Sequence, residues 1–458
     1  MKILLYLDPW IDVSDKPQFK MVWFKKFLSS SIRDLIAHAN LINNFNIQIK
    51  AICSDIAEVG IKDSYKFVEF SSISQEELHG IFDSFEDYIT SQRSNENSPK
   101  FTSLNKIIFE RLNGFVPDII IPISSSVKYL KYAFPNSLIL FNESGIFSRP
   151  PFPGSLYFDC SASMDDSFLL KHKNEILSLN NDESQKKFLS KIRKFFFEKL
   201  DSRNPYKGFV SMFRKKYSKM LLLSLQRFES PLFRTQSTFK DQIGYLKYVF
   251  DNVDSSIGII VVEHSSDRIL NCNPINEYFK NKYKNFIYIA ETEANPNSSQ
   301  FLLRTVDGVI TVSSTVGLQA LLYEKSLFVP SETSYLTAFC DTSNLAEINN
   351  FLDEKKYKNK DGALYYLLTR YYVLNKYFED GEWFYNFLSR SLNNFRKGVD
   401  LNFYEKIDSD EKLLSNICNQ RFVEMFENAA NESNKVKKLR GIKKWKNSIK
   451  KRIAKIKS

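Results

Sequence analysis

Glycine and proline are scarce in this chain, 14 of each among 458 residues, which excludes collagen-like and low-complexity classes. Histidine is scarcer, with four residues. The five cysteines (Cys53, Cys160, Cys272, Cys340 and Cys418) are scattered and odd in number, with no CxxC pair and no Cys/His zinc spacing. A disulfide framework is therefore not expected, and reduced thiols are the default of a cytosolic protein. No apolar run reaches the roughly 18 residues of a membrane-crossing helix. The apolar stretch Met1–Asp8 is too short for a signal peptide and lacks a small-residue cleavage site. Walker A, GxGxxG, GxSxG and HExxH patterns are missing, and no DxD-type aspartate pair stands in an obvious metal-binding loop. Kinases, classical dehydrogenases and serine hydrolases are thereby disfavoured, and neither a metal nor another cofactor is expected.

What is present is ordinary for a globular chain: 43% hydrophobic, 26% charged and rich in aromatics at 15%, enough to bury a large core. The formal charge is +11, but twelve Lys or Arg and no acid lie between Asn434 and Ser458. The rest of the chain is close to neutral, which argues against a nucleic-acid-binding body, since such proteins spread their cations over a docking face. In the tail Val436, Leu439, Ile442, Trp445, Ile449, Ile453 and Ile456 recur every three or four residues. They form one helical face, with cations such as Lys443, Lys444, Lys450, Lys451 and Arg452 on the other. Such a helix is expected to lie on an anionic membrane, each cation near the surface contributing on the order of 1 kcal/mol.

Short apolar runs, of the kind expected for strands buried on both faces of a parallel sheet, come in two series. The first is Ile3–Leu7, Ile47–Cys53, Asp118–Ile123 and Ser137–Asn142; the second is Met220–Leu225, Ile257–Glu263, Phe286–Ala290, Gly308–Val312 and Ser326–Pro330. Helical patterns alternate with them, at Phe19–Asn43, Glu76–Gln92, Lys240–Asn252 and Val316–Tyr323. The pattern predicts an α/β fold with two Rossmann-like domains facing a cleft. The expected boundaries are 1–164 for the first, acceptor-side domain, 165–215 for a helical insertion and linker, and 216–345 for the second, nucleotide-sugar domain. Residues 346–432, including Tyr371-Tyr-Val-Leu, read as helical and packing back across the interface, and 433–458 as the basic amphipathic tail.

Four stretches can carry chemistry, each at the carboxyl end of a strand, where open α/β sheets bind ligands. In Val312-Ser-Ser-Thr-Val-Gly317 the hydroxyls of Ser313, Ser314 and Thr315 stand at a helix start, where free N–H groups and the helix dipole suit a phosphate. Gly317 would let a ligand or a neighbouring backbone approach closely. His264 follows an apolar strand and can act as acid or base, or hold an anion. Glu143, in Phe141-Asn-Glu143-Ser-Gly145, is placed to serve as general base for an acceptor hydroxyl. In Gln226-Arg-Phe-Glu229, Gln226 could hydrogen-bond a sugar or base, and Glu229 could act as a nucleophile or stabilise positive charge.

Together these stretches, in order over residues 140–330, resemble the two-domain GT-B-like retaining β-Kdo transferases of capsule and O-antigen (lipopolysaccharide) biosynthesis. That family's Ser-Ser-Thr-x-Gly segment is matched by Ser313–Gly317 and its Lys-x-His-Pro by the residues around His264. Its Glu-Asp-Gly-Phe is matched by Glu143-Ser-Gly-Ile-Phe, and its Gln-Val-Glu-Asp-Asp by Gln226-Arg-Phe-Glu229-Ser. Ser265 replaces the family's proline, and Glu229-Ser230 replaces the acidic pair. The resemblance implies transfer of Kdo from CMP-β-Kdo to a glycan acceptor, with Glu229 as nucleophile oriented by Gln226 and Glu143 as the acceptor's base. His264 would sit at the donor phosphate, and Ser313, Ser314 and Thr315 would hold the CMP phosphate or the Kdo carboxylate. It also implies a peripheral enzyme on the cytosolic face of the inner membrane, acting on a lipid-linked or oligosaccharide acceptor. An inverting transferase using another nucleotide sugar, and a non-catalytic membrane-bound assembly scaffold, are the competing readings.

Overall fold

The computed structural model describes residues 1–424 except 10–16, 43–46, 95–96, 124–126, 149–150, 163–165, 202–203, 229–230, 265–266, 272, 291, 293–297, 354–358 and 422–423. Glu229, Ser230 and Ser265 therefore lie outside the described residues. So does the basic tail, with Lys443, Lys444, Trp445, Lys450, Lys451 and Arg452.

The fold is α/β. The first sheet holds β1 (Lys2–Tyr6), β2 (Gln48–Ser54), β3 (Glu69–Ile73), β4 (Ile119–Pro122) and β5 (Leu138–Ile139), all parallel, in the order β3-β2-β1-β4-β5. Next come β6 (Phe141–Ser144) and β7 (Ser155–Asp159), which pair antiparallel. The second parallel sheet holds β8 (Met220–Ser224), β9 (Gly258–Val262), β10 (Phe286–Tyr288), β11 (Gly308–Ile310) and β12 (Ser326–Phe328), ordered β10-β9-β8-β11-β12. Far along the chain, β13 (Tyr372–Leu374) adds to β7 and completes a small sheet, β13-β7-β6. Both parallel sheets share one Rossmann-like winding: the chain moves outward from its first strand, then returns to the other side of it. The crevice at that reversal is where such sheets bind ligands.

The central strands are apolar because helices cover both faces. Every residue of β8, β9 and β11 is buried. The helix Thr315–Leu322 is apolar apart from Gln319 and its N-terminal Thr315, and is buried from Val316 to Leu322. It stops at a Schellman turn: Glu324 sits at φ 54, Lys325 N–H bonds Ala320 O at 2.9 Å and Glu324 N–H bonds Leu321 O at 3.2 Å. Arg193, on the long helix Glu183–Asp201, donates to Leu322 O at 2.8 Å and forks onto Asp361 at 3.0 and 2.5 Å. The residues between the two parallel sheets thus cap an element of the second.

The departures from the sequence reading are local. Ser137–Asn142 is two strands, not one. Leu140 N–H still bonds Ile120 O, but the Asn142 amide then caps Pro122 O at 2.5 Å and the chain leaves for the antiparallel sheet. Tyr371-Tyr-Val-Leu is not helical throughout, because Tyr372–Leu374 pairs with β7. The helical pattern of Phe19–Asn43 carries a π-helical turn at Leu28–Ile32. That of Glu76–Gln92 divides into Gln75–His79 and Phe85–Ser94. The half-exposed edge strand β3 has no apolar run to announce it.

Candidate functional site

The crevice of the second sheet opens between β8 and β11. Gln226 lies two residues past the end of β8, and Ser313 three past the end of β11. One carboxamide joins them: Gln226 Nε2 donates to Ser313 Oγ at 2.9 Å, and its Oε1 accepts from Ser313 N–H at 2.8 Å and from Thr311 Oγ1 at 3.3 Å. This two-way clamp leaves the turn little freedom before the helix begins. Ser314 is the N-cap, its hydroxyl accepting from Val316 N–H at 3.3 Å. Ser313 is buried, whereas Ser314 and Thr315 are half-buried at the mouth of the helix. An anion bound there would gain about 0.3–1 kcal/mol from the dipole, more where the site is partly buried.

Gly317 sits differently from the sequence reading. A Cβ on it would lie 2.8 Å from Leu336 Cδ1 and 3.1 Å from both Leu327 Cδ1 and Thr311 Cγ2. Its missing side chain admits the neighbouring core rather than a ligand.

Glu143 stands in the small sheet beside this turn's helix. It is an interior residue of β6, not the residue after a strand, and it stands in register with Tyr157 on β7, which faces Tyr372 on β13. Paired residues share a face, so the half-buried carboxylate lies in a row with two buried tyrosines. Tyr335, also buried, bridges the row to the crevice: its hydroxyl donates to Ser313 O at 3.4 Å. Burial first, and the Glu143 charge second, push the phenols of both Tyr157 and Tyr335 above their ordinary range. The neutral Tyr335 phenol keeps its proton, which it gives to Ser313 O.

Two more contacts close the join. Ser148 Oγ lies 3.2 Å from Thr315 Oγ1, and the fully buried Gln319 donates to Ile146 O at 3.0 Å. The loop that follows the Glu143 strand is thus bonded to the Thr315–Leu322 helix. Gln319, Tyr335, Thr311 and Ser148 were not singled out in the sequence. The one signal was Gln319, an amide inside an otherwise apolar helix.

His264, half-buried, stands two residues beyond β9, at the same end of the sheet as Gln226 and Ser313. It forms an isolated bridge with Asp267, whose carboxylate accepts from Phe228 N–H at 2.9 Å and from Gln242 Nε2 at 2.6 Å. Gln242 also donates to Gln226 O at 3.2 Å. Asp267 therefore ties the His264 loop to the loop that leads into Glu229. Glu263, beside His264, is absorbed structurally by Ile269 and Leu270 N–H, both at 2.6 Å, and by the Tyr288 hydroxyl at 2.8 Å.

The crevice thus combines a helix start with free donors, hydroxyls held by side-chain hydrogen bonds, and a loop arriving from the strand that carries Glu143. Among the described residues no group of three or more His, Cys, Asp or Glu is placed to hold a metal ion, and no helix is long and apolar enough to cross a membrane.

Residues 183–378 match the family of capsule polysaccharide biosynthesis proteins. No curated protein matches the chain by sequence. Among solved structures, the chain is similar to KpsC of Thermosulfurimonas dismutans described as a β-Kdo 2,7 transferase: 13% identity, TM-score 0.41, covering 71% of this chain and 92% of that one. A β-Kdo 2,4 transferase structure of the same KpsC gives 16% identity and a TM-score of 0.31, over 53% and 75% of the two chains. A UDP-GlcNAc 2-epimerase from Neisseria meningitidis gives 12% and 0.34, over 86% and 100%.

Proposed function

We propose that this chain is a glycosyltransferase of capsule polysaccharide biosynthesis and that its donor is a CMP-activated ulosonic sugar, CMP-β-Kdo. The observation that carries the reading is the Gln226–Ser313 clamp at the crevice of the second sheet, with the loop that follows the Glu143 strand bonded to the first turn of the adjoining helix. The match over residues 183–378, which spans that crevice, supports the class.

In this reading the N–H groups and hydroxyls of Ser314 and Thr315 receive the phosphate of the leaving CMP. A monophosphate leaving group needs only such donors and a helix start, so transfer is expected without added metal. Glu143 takes the proton of the acceptor hydroxyl, and His264 contacts the donor phosphate. Glu229 attacks the anomeric carbon to give a covalent glycosyl-enzyme, and the acceptor then displaces it with net retention. The basic tail holds the enzyme on the anionic cytosolic face of the inner membrane, where lipid-linked acceptors are extended. A single-step inverting transfer with Glu143 as base is the second reading, favoured by the half-buried place of that carboxylate beside the helix start.

Calorimetry of CMP, UDP and GDP binding, with and without EDTA, tests the donor. Selective CMP binding is expected, weakened roughly tenfold by Ser314→Ala through loss of one hydrogen bond to a charged group. Preference for UDP or GDP overturns the CMP-sugar assignment. An adduct on Glu229 after incubation with CMP-Kdo separates retention from inversion.

A further inference from the structure

The tail is not the only basic stretch. Between Lys186 and Lys219 stand twelve Lys or Arg and two acids, Glu198 and Asp201, so the rest of the chain is close to neutral only on average. This stretch includes the helix Lys207–Arg214, which leads into β8 at the amino end of the second sheet, opposite the crevice. Val210 is buried and anchors that helix in the core. Phe209 and Met212, three residues apart and so on one side of the helix, are 37% and 54% exposed. Lys215 and Lys216 follow directly and are exposed as well.

Charge at this end of the sheet is independently positive. Lys216, Lys284 and Lys325 lead into β8, β10 and β12, and because these strands run parallel the three lysines stand at one end. Lys216 Nζ donates to Lys284 O at 3.3 Å. Burial first holds the Lys325 ammonium below its ordinary range; Asp307 opposes that shift, and the neighbouring Arg214 and Arg304 add to it. The nearby carboxylates are already engaged. Asp307 is forked by Arg214 at 2.7 and 3.0 Å, Asp201 pairs with Lys207 at 2.9 Å and with Arg304 at 3.3 Å, and Glu324 pairs with Arg193 at 3.0 Å. Asp254, which leads into β9, accepts from Ser256 N–H at 2.8 Å. Among the described residues Lys215, Lys216, Lys284 and Lys325 make no ion pair, and of the acids leading into the strands only Asp254 makes none. Surplus positive charge beside two exposed apolar side chains matches an anionic lipid surface, where phosphates meet the ammonium groups and the apolar pair enters the interface. Duplex nucleic acid would use the cations alone and leave Phe209 and Met212 in water.

We propose that the amino end of the second sheet is a membrane-facing surface on which Phe209 and Met212 enter the interface while Lys215, Lys216, Lys284 and Lys325 meet the phosphates of anionic lipids. This rests on the reading of an enzyme held at the membrane and adds a folded contact to the tail. A tail alone tethers. A tail plus a folded surface also sets which way the crevice faces, with the carboxyl ends of the strands directed away from the lipid.

The test is co-sedimentation of the full chain with vesicles of phosphatidylcholine alone and of phosphatidylcholine mixed with phosphatidylglycerol. Binding is expected on the mixed vesicles and not on the neutral ones. Phe209→Ser combined with Met212→Ser should weaken it at least about tenfold. Lys215→Gln and Lys216→Gln should each weaken it roughly fivefold, an effect that shrinks as salt is raised. All four positions are exposed, so the circular dichroism spectrum should be retained. The tail is altered separately, by Trp445→Ser with Ile449→Ser, and the helix pair should cause the same fold loss in that chain as in the wild type. If the helix and lysine variants bind as the wild type does while the tail variant does not, the surface is overturned and the tail reading stands. If the wild type binds neither vesicle, both fall. If the lysine variants lose affinity for a duplex oligonucleotide but not for vesicles, or if Phe209→Ser instead disperses a dimer, the face belongs to nucleic acid or to a second copy and the lipid assignment fails.

Discussion

Gln226 shows how a single side chain turns a strand end into a site. Its amide nitrogen and oxygen both engage Ser313, so the turn between β11 and its helix is fixed before any ligand arrives. Preorganised donors of this kind do not have to be ordered during the reaction. The hydroxyl run Ser313–Thr315, the amide Gln226 and the carboxylate Glu143 were legible in the sequence because each is a polar residue directly after or within an apolar run. Tyr335 was not legible, because nothing local marks a tyrosine whose partners lie 22 residues back and on another sheet. Gly317 was misleading for the opposite reason. A glycine beside a phosphate-type turn reads as room for a ligand or for a neighbouring backbone, and only the tertiary packing shows the side chains of Leu336 and Leu327 filling that room. If Glu143 is the proton acceptor, Glu143→Gln keeps its size and its place in the strand row but removes the base. Transfer should then fall by roughly 10²–10⁴ with nucleotide affinity unchanged. Steady-state kinetics beside calorimetry checks this, and an equal loss in affinity would instead give Glu143 a binding role.

At the scale of elements, the nine buried parallel strands announced in the sequence all lie where continuous apolar runs stand. The strands it missed, β3, β7 and β13, share a different property. Glu69–Ile73 is a half-exposed edge with alternating polarity lost to Ser71 and Ser72, and the other two pair antiparallel with each other across more than 200 residues of chain. Tyr372-Val-Leu fits a helix or a strand equally well by composition, and only its pairing with β7 decides. Close contact between elements carries the same lesson. The helix that begins at Gly381 packs against Arg33–Leu41, and a Cβ on Gly381 would run into the backbone carbonyl of Asp34. Backbone cannot yield as a flexible side chain does, so Gly381→Ala should destabilise by about 1–3 kcal/mol, the typical cost of overpacking. Denaturant unfolding measures it. Gly208→Ala, with open space at its Cβ, is the matched control and should cost nothing by clash; equal effects would refute the close-approach argument.

Across the whole molecule, the question is what holds the first sheet's half against the second. One join is exposed: Arg234, on the helix Pro231–Gln236, pairs with Glu86 on Phe85–Ser94, and the Glu86 side chain is 61% exposed. Another is buried: Gln319 reaches from the second half to Ile146 O, next to the Glu143 strand. Solvent screening limits an exposed ion pair to about 0–1 kcal/mol. Removing the buried amide leaves a carbonyl unpaired in a dry interface, which costs about 1–3 kcal/mol. Gln319 also accepts from Gln300 Nε2 at 3.3 Å, so that neighbour loses a partner as well. Gln319→Leu should therefore lower stability clearly and loosen the approach of Glu143 to Ser313, while Arg234→Gln should change stability by less than about 1 kcal/mol. The same pair of variants discriminates in function: if Glu143 is the base, Gln319→Leu rather than Arg234→Gln should lower turnover, because Gln319, unlike Arg234, bonds the loop after the Glu143 strand. Urea unfolding and transfer assays on both variants decide it. If Arg234→Gln proved the more damaging, the exposed clasp rather than the buried amide would be what sets the cleft.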